Sequence, residues 1–236
     1  MKWPVAAWAL VFLILCGVSI VSTSRLLGRK DMQPVERQED SLRILIVPAG
    51  VSGRMGSVAR RKLLGDLADE LAESLRVDYE VTEAVELPAR HLEAARDQVE
   101  ARRALATLSA RLRSESCFRV LFVTGEDLYL PGFNFIFGLA APGGRAALVS
   151  SARFGERWAG RVDSEGKLQL ERLTKVALHE LGHTLLLGHS EDPQSVMKYH
   201  NSLAELDSSG YRLTDEDLEA IRARFPELEG RLHRIP

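Results

Sequence analysis

His179, Glu180 and His183 stand together in the run HELGH, and His189 follows six residues after the second histidine. On a helix, residues four apart share one face about one turn, or roughly 6 Å, apart. Two imidazoles so placed can reach one tetrahedral ion, and Glu180, about 100° further round, can reach a water at the fourth position. Zinc in that place lowers the water's pKa to about 7, so a carboxylate can take its proton as the oxygen attacks a polarised carbonyl. A catalytic site needs a third protein ligand, and His189 is the candidate. Leu173, Val176, Ala177, Leu185 and Leu187 make the flanks strongly apolar, which predicts a buried helix from about Leu168 to Leu187. The competing reading is a core helix whose histidines bond only to backbone. Against it, three of the chain's six histidines and a Glu fall here in ligand spacing.

A buried helix of this kind needs a core around it, and 236 residues with 45% hydrophobic content supply one. The net charge of −2 and the absence of a long Lys/Arg run give no support for nucleic acid as a partner. Residues 4–22, PVAAWALVFLILCGVSIVS, are apolar and uncharged, long enough to cross a hydrocarbon layer about 30 Å thick. The expected organisation is a membrane anchor or signal peptide over 1–24, a linker over 25–41, and a catalytic domain over 42–236. Ser22-Thr23-Ser24 would allow cleavage and release. The favoured expectation is an uncleaved anchor holding the domain outside the cytoplasm, with a secreted form as the alternative. Cys16 and Cys117 fall on opposite sides of the linker, so a structural disulfide is not expected, and Cys117 reads as a small buried hydrophobe.

Along the domain, LRILIV at 42–47 predicts a buried first strand ending at Pro48. Leu64, Leu67, Leu71 and Leu75 recur at helical spacing and predict an amphipathic helix over 57–77. Residues 79–87 alternate loosely and predict a second strand. Leu92, Ala95, Val99, Leu105, Leu108 and Leu112 predict one helix over 90–113, with His91 facing solvent near its start. FRVLFVT at 118–124 predicts a third strand, buried on both faces. The runs 127–137 and 145–154, joined by Ala141-Pro142-Gly143-Gly144, predict a hairpin-like pair. Pro131 makes the first of them an edge strand, to which an extended peptide could add itself as a further strand. Thr214 is the expected N-cap of a C-terminal helix reaching Phe225, with Asp217 at its third position and Pro226 stopping it. Strands alternating with helices give an α/β fold, a mixed and mainly parallel sheet packed on helices.

These residues resemble the metzincin clan of zinc peptidases: the HELGH helix, His189, and Met197 eight residues beyond it, where the clan has a methionine turn. More closely, HELGHT, LYLPGFNFIFG at 128–138, GGRAALVSSARF at 143–154 and NSLAELD at 201–207 resemble the archaemetzincins. The resemblance implies a metzincin-like α+β fold and a zinc-dependent peptidase acting on peptide or protein substrates. It implies metal ligands His179, His183 and His189, with Asp192 or Glu205 as substitutes for the third, and Glu180 as catalytic base. The peptide would lie along residues 129–138. Archaemetzincins also carry a second, four-cysteine zinc site. Its cysteine positions fall here at Ser190, Ser195 and near Asp215 and Leu218, so one zinc ion is expected. A second departure is Leu186, where metzincins place the glycine that turns the chain toward the third ligand. Either Leu186 adopts a left-handed conformation at a cost of about 1–2 kcal/mol, or the helix runs on and ends at Gly188. Leu186 and the missing cysteines motivate the alternative of a catalytically inactive binding module of the same fold. Tyr199 matches a position from which some metzincins direct a phenol at the metal, with structural packing as the other reading. His200 and His233 are expected to be ordinary surface residues.

Overall fold

The computed structural model describes residues 42–54, 61–112, 115–155 and 166–232. The expected anchor and linker, the first residues of the 57–77 helix and His233 lie outside the described residues. In chain order the elements are β1 (Arg43–Val51), α1 (Arg61–Ser74), β2 (Asp78–Val81), β3 (Val85–Leu87), β4 (Leu92–Glu93), β5 (Gln98–Glu100) and α2 (Ala101–Arg111). There follow β6 (Arg119–Thr124), β7 (Leu128–Tyr129), β8 (Gly138–Ala140), β9 (Ala146–Ser150), α3 (Lys167–Thr184), α4 (Leu203–Ser208) and α5 (Asp215–Arg224).

The main sheet has six strands in the order β2-β1-β6-β9-β8, with β3 also pairing β1. All pairs are parallel except β8 with β9. The result is the expected α/β, mainly parallel sheet with one antiparallel edge. Its three inner strands are buried on both faces, and alternate residues sort between two cores. Ile44, Ile46, Leu121, Val123, Ala147 and Val149 face one core with Leu64, Leu67 and Leu71 of α1 and Leu173, Ala177 and Leu181 of α3. Leu45, Val47, Val120, Phe122, Ala146 and Leu148 face the other, with Ala104, Leu105 and Leu108 of α2. The sheet is thus the middle of three layers.

Three expectations are corrected. First, β1 does not end at Pro48 but runs on to Val51. In a parallel ladder, alternate residues turn their backbone groups to opposite neighbours. The Ile46 carbonyl accepts from Thr82 N, so Pro48, two residues on, turns its missing N–H to the same side. There the neighbour changes from β2 to β3, and no ladder donor is wanted. Second, residues 79–87 form two short strands rather than one, broken at that gap.

Third, 90–113 is not a single helix. Leu92 and Val99, seven apart, satisfy a helical stripe equally well as a hairpin pair. They pair across β4 and β5, with Asp97 at φ 53° in the turn between them. The helix begins only at Ala101, where the Glu100 carboxylate caps it by accepting from Arg102 N and Arg103 N. His91 is correspondingly buried, its Nε2 3.1 Å from Thr107 Oγ1. Cys117 is buried as expected, with an Arg145 N–H 3.1 Å from its sulfur.

Candidate active site

Helix α3 lies over the sheet with almost every residue in its C-terminal two-thirds buried, the polar ones included. Two buried cations of the helix are paired: Arg172 makes a two-pronged pair with Asp207 at 2.7 and 2.6 Å, and Lys175 Nζ donates to the Leu206 carbonyl at 3.0 Å. These bonds tie the helix to α4 and fix its rotation about its axis. That rotation turns His179 and His183 toward the chain after the helix, within hydrogen-bond reach of Val196 and Leu187, and sets Glu180 against Gly138 of β8.

The end of the helix decides where His189 goes. Leu186 N donates to the His183 carbonyl at 3.1 Å and Leu187 N to the Gly182 carbonyl at 3.0 Å. Together with Leu186 at φ 66° this is a Schellman C-cap, built on a leucine where glycine is usual. The left-handed alternative is therefore the one adopted, and Gly188 is not among the positive-φ glycines. The helix stops at Thr184, three residues short of its expected end. The Leu186 side chain is 48% exposed and lies over Gly143 of the β8–β9 turn, whose N–H donates to the His183 carbonyl at 3.1 Å.

The bend returns His189 to the two helix histidines. Its ring centre is 5.2 Å from that of His179 and 4.9 Å from that of His183. One ring nitrogen from each of the three lies within 4.8 Å of the others. Asp192 and Glu205, the substitutes for a third ligand, are engaged locally, Asp192 with Gln194 N and Glu205 with Asn201 N.

Do these groups fit a zinc ion? His179 Nδ1 lies 2.9 Å from the Val196 carbonyl and His183 Nδ1 lies 3.0 Å from the Leu187 carbonyl. A carbonyl only accepts, so both Nδ1 atoms carry the proton and, in neutral rings, both Nε2 atoms present bare lone pairs. Those lone pairs face each other at 3.1 Å. Nitrogens at about 2.0–2.1 Å from a tetrahedral zinc stand roughly 3.3 Å apart. A cation between them removes a repulsion that the fold otherwise imposes. Desolvation also disfavours protonation: it pushes the pKa of His179 well down and that of His183 down, and lowers that of His189, the exposed one of the three, to about 4. Three neutral imidazoles on one point are a zinc-compatible donor set.

Glu180, on the same turn, is buried against Gly138 of β8. A Cβ on that glycine would stand 2.6 Å from Glu180 Cγ and 2.8 Å from its Oε1. Desolvation raises the Glu180 carboxyl to about 8. Beneath the histidines, Met197 is fully buried with its sulfur against Gly182, where a Cβ would collide with it. The conformation of Gly182 is ordinary, and its role is to make room for that methionine.

Tyr199 is partly exposed and its ring centre lies 5.1 Å from that of His189. His200 is not the plain surface residue expected. It is half-buried, its ring centre 6.4 Å from that of His179, with Nε2 enclosed. The sequence carries no spacing rule that would have brought it there. The edge strand is likewise displaced from expectation. Leu128–Tyr129 belongs to a separate three-stranded sheet, and the edge facing the histidines is Gly138–Ala140. The segment between them is braced from behind by Arg153, which stacks on Phe135 at 4.0 Å and pairs with Asp127 at 2.7 Å.

Known proteins are similar to this chain in sequence and in fold. Residues 84–221 match Peptidase family M54. The chain is 31% identical to the archaemetzincin of Aeropyrum pernix over 174 residues, 72% of this chain and 87% of that one. It is 49% identical to the archaemetzincin of Methanopyrus kandleri over 89 residues, a match spanning 38% of this chain and 47% of that protein. The solved structure of the Methanopyrus kandleri archaemetzincin superposes with a TM-score of 0.65 at 30% identity, covering 81% of this chain and 99% of that one. Fold, histidine cluster and sequence agree: the chain belongs to peptidase family M54, the archaemetzincin-like zinc metallopeptidases.

Proposed function

We propose that this chain hydrolyses peptide bonds with one zinc ion held by His179, His183 and His189 and with Glu180 as general base. The observation that carries the reading is the convergence of three ring nitrogens within 4.8 Å beside a buried carboxylate. Zinc, when bound, supplies a Lewis acid for the scissile carbonyl and acidifies the attacking water. Glu180 takes the water's proton and returns it to the departing amine. Burial raises the Glu180 carboxyl to about 8 in the metal-free chain, and the positive charge of a zinc ion beside it would favour the carboxylate that accepts the water's proton. The backbone of Gly138–Ala140 offers an open edge for an extended substrate, whose main chain would pair with β8 and so set the scissile bond beside Glu180. The place of Tyr199 beside His189 suits a phenol donating to the carbonyl oxygen as it gains charge.

A single ion is supported by the chemistry at Ser190, Ser195, Asp215 and Leu218, where no thiolate is available. The N-terminal segment supports a membrane anchor over 1–24 and a linker over 25–41, with the catalytic domain, 42–236, outside the cytoplasm. Recovery of the full chain in the soluble fraction after cell lysis would reject the anchor. For the chemistry, the test is metal analysis together with peptide cleavage by wild type and Glu180→Gln. The variant is expected to keep its zinc and lose roughly 10²–10⁴-fold in kcat. Equal cleavage by both proteins rejects Glu180 as base, and zinc without turnover in the wild type favours the inactive binding module.

A further inference from the structure

The chain between His189 and α5 is pinned by a hydrogen-bonded knot that the proposed chemistry does not use. Ser195 is fully buried and its Oγ donates to Asp217 Oδ2 at 2.8 Å. Asp217 is itself buried, and the same oxygen accepts Thr214 N and Thr214 Oγ1, both at 2.9 Å. A carboxylate oxygen only accepts, so the one hydroxyl proton of Ser195 is committed to Asp217. The serine's lone pairs are then left for the backbone, and Met197 N donates to Ser195 Oγ at 3.0 Å. That bond closes the turn 195–197.

Two of the three clustered histidines hang from this turn. The Val196 carbonyl accepts from His179 Nδ1, and the Met197 carbonyl accepts from Ser190 N at 3.0 Å, next to His189. The direction of the Val196 carbonyl therefore decides which nitrogen of His179 carries its proton and where its free nitrogen points.

We propose that Ser195 and Asp217 are positioning residues for the metal site: their bond locks the 195–197 turn onto the first turn of α5, so that the Val196 carbonyl holds His179 in one tautomer and one direction. The inference deepens the zinc reading of the site, yet the state of the His179 ring can be observed without any metal. It assigns Asp217 of α5, 38 residues from His179 in sequence, a part in setting up the site.

The test uses the full chain as wild type, Ser195→Ala, Asp217→Asn and Ile221→Val. The last removes one methyl group from the core under α5 and none of the hydrogen-bonding groups of the knot. Long-range proton–nitrogen NMR spectra of the metal-free proteins read the His179 tautomer, and chelator competition reads zinc affinity. Wild type and Ile221→Val are expected to show a single Nδ1–H form. Ser195→Ala should show exchange between tautomers and lose about 10–100-fold in zinc affinity. Asp217→Asn, the milder change, should move both readouts the same way by less, and it carries the test if Ser195→Ala does not fold. The proposal is overturned if folded Ser195→Ala or Asp217→Asn keeps the wild-type ring signal, or if Ile221→Val disturbs that signal equally. Should wild type itself bind no zinc, the functional reading fails while the ring spectra still decide the role of the knot.

Discussion

Gly138 is where a side chain would press directly on Glu180, the proposed general base. Its missing methyl would meet Cγ, Cδ and Oε1 of Glu180, all inside 3.0 Å. Glu180 is buried and cannot swing freely away, so Gly138→Ala should leave the fold and the histidines in place and displace the carboxylate. A misplacement on the order of 1 Å can lower kcat by roughly 10²-fold. Steady-state kinetics beside metal analysis checks this, with zinc content expected to stay at the wild-type level. Retention of full kcat would show that Glu180 has room to spare. Gly182 differs in kind: it faces the sulfur of Met197 rather than a carboxylate. The proposed roles of His179 and His183 are legible in spacing alone, because helix geometry puts them on one face, while His189 joins them only through the bend at Leu186. Those of Gly138, Gly182 and His200 are not, since each depends on a partner brought up by tertiary packing. Ser195 and Asp217 are legible only by halves. The sequence marks Asp217 as part of a helix start, and nothing in it says that a buried serine 22 residues earlier is the other donor.

At the level of elements, the decisive one is the end of α3. The bend that carries His189 back rests on a leucine at φ 66°. That geometry costs an ordinary residue about 1–2 kcal/mol and a glycine almost nothing. A β-branched side chain tolerates it least. Leu186→Gly should therefore stay within about 1 kcal/mol of wild type, as relieved strain offsets the lost contact with Gly143 and the freer unfolded chain. Leu186→Val, though apolar and nearer in size, should be less stable than Leu186→Gly by about 1–2 kcal/mol. Urea denaturation of the two variants gives the order, and a valine variant as stable as the glycine one would contradict the left-handed bend. Elsewhere, the strands and helices that the sequence announces are those whose periodicity admits one solution. β6, α1 and α5 are of that sort, and the capping box of Thr214 and Asp217 is present as expected. Residues 90–100 fail because a spacing of seven is compatible with both a helix and a hairpin. Pro48 misleads because the break between two short neighbours, which excuses its missing N–H, is invisible until the strands are paired.

Over the whole molecule, the burial that builds the site sets how stability changes with pH. His91, His179, His183, His189 and His200 all have pKa values lowered in the folded protein, desolvation being the largest cause in each. A histidine whose folded pKa is depressed binds fewer protons folded than unfolded once pH drops to about 6.5. Its contribution is intact above that value and is lost as pH falls toward the folded pKa, about 4 for His189. Glu180 works the other way. Its folded pKa is raised from 4.5 to about 8, so its contribution is present below 4.5 and is lost as pH rises through 8. Five groups oppose one, and the metal-free protein should lose thermal stability steadily from pH 7 to pH 5. Zinc binds only the deprotonated imidazoles of the folded state, so it should raise Tm at pH 7 and add less as pH falls. Glu180→Gln isolates the opposing group. Without a carboxylate to ionise in a buried place, the metal-free variant should gain stability over wild type between pH 6 and 9, and the gain should shrink toward pH 4.5. Calorimetry of the two metal-free proteins across that range measures the difference directly. A gain that instead grew toward acid pH would mean that Glu180 is ionised and paired in the folded protein, and unable to serve as the buried acid and base of the site.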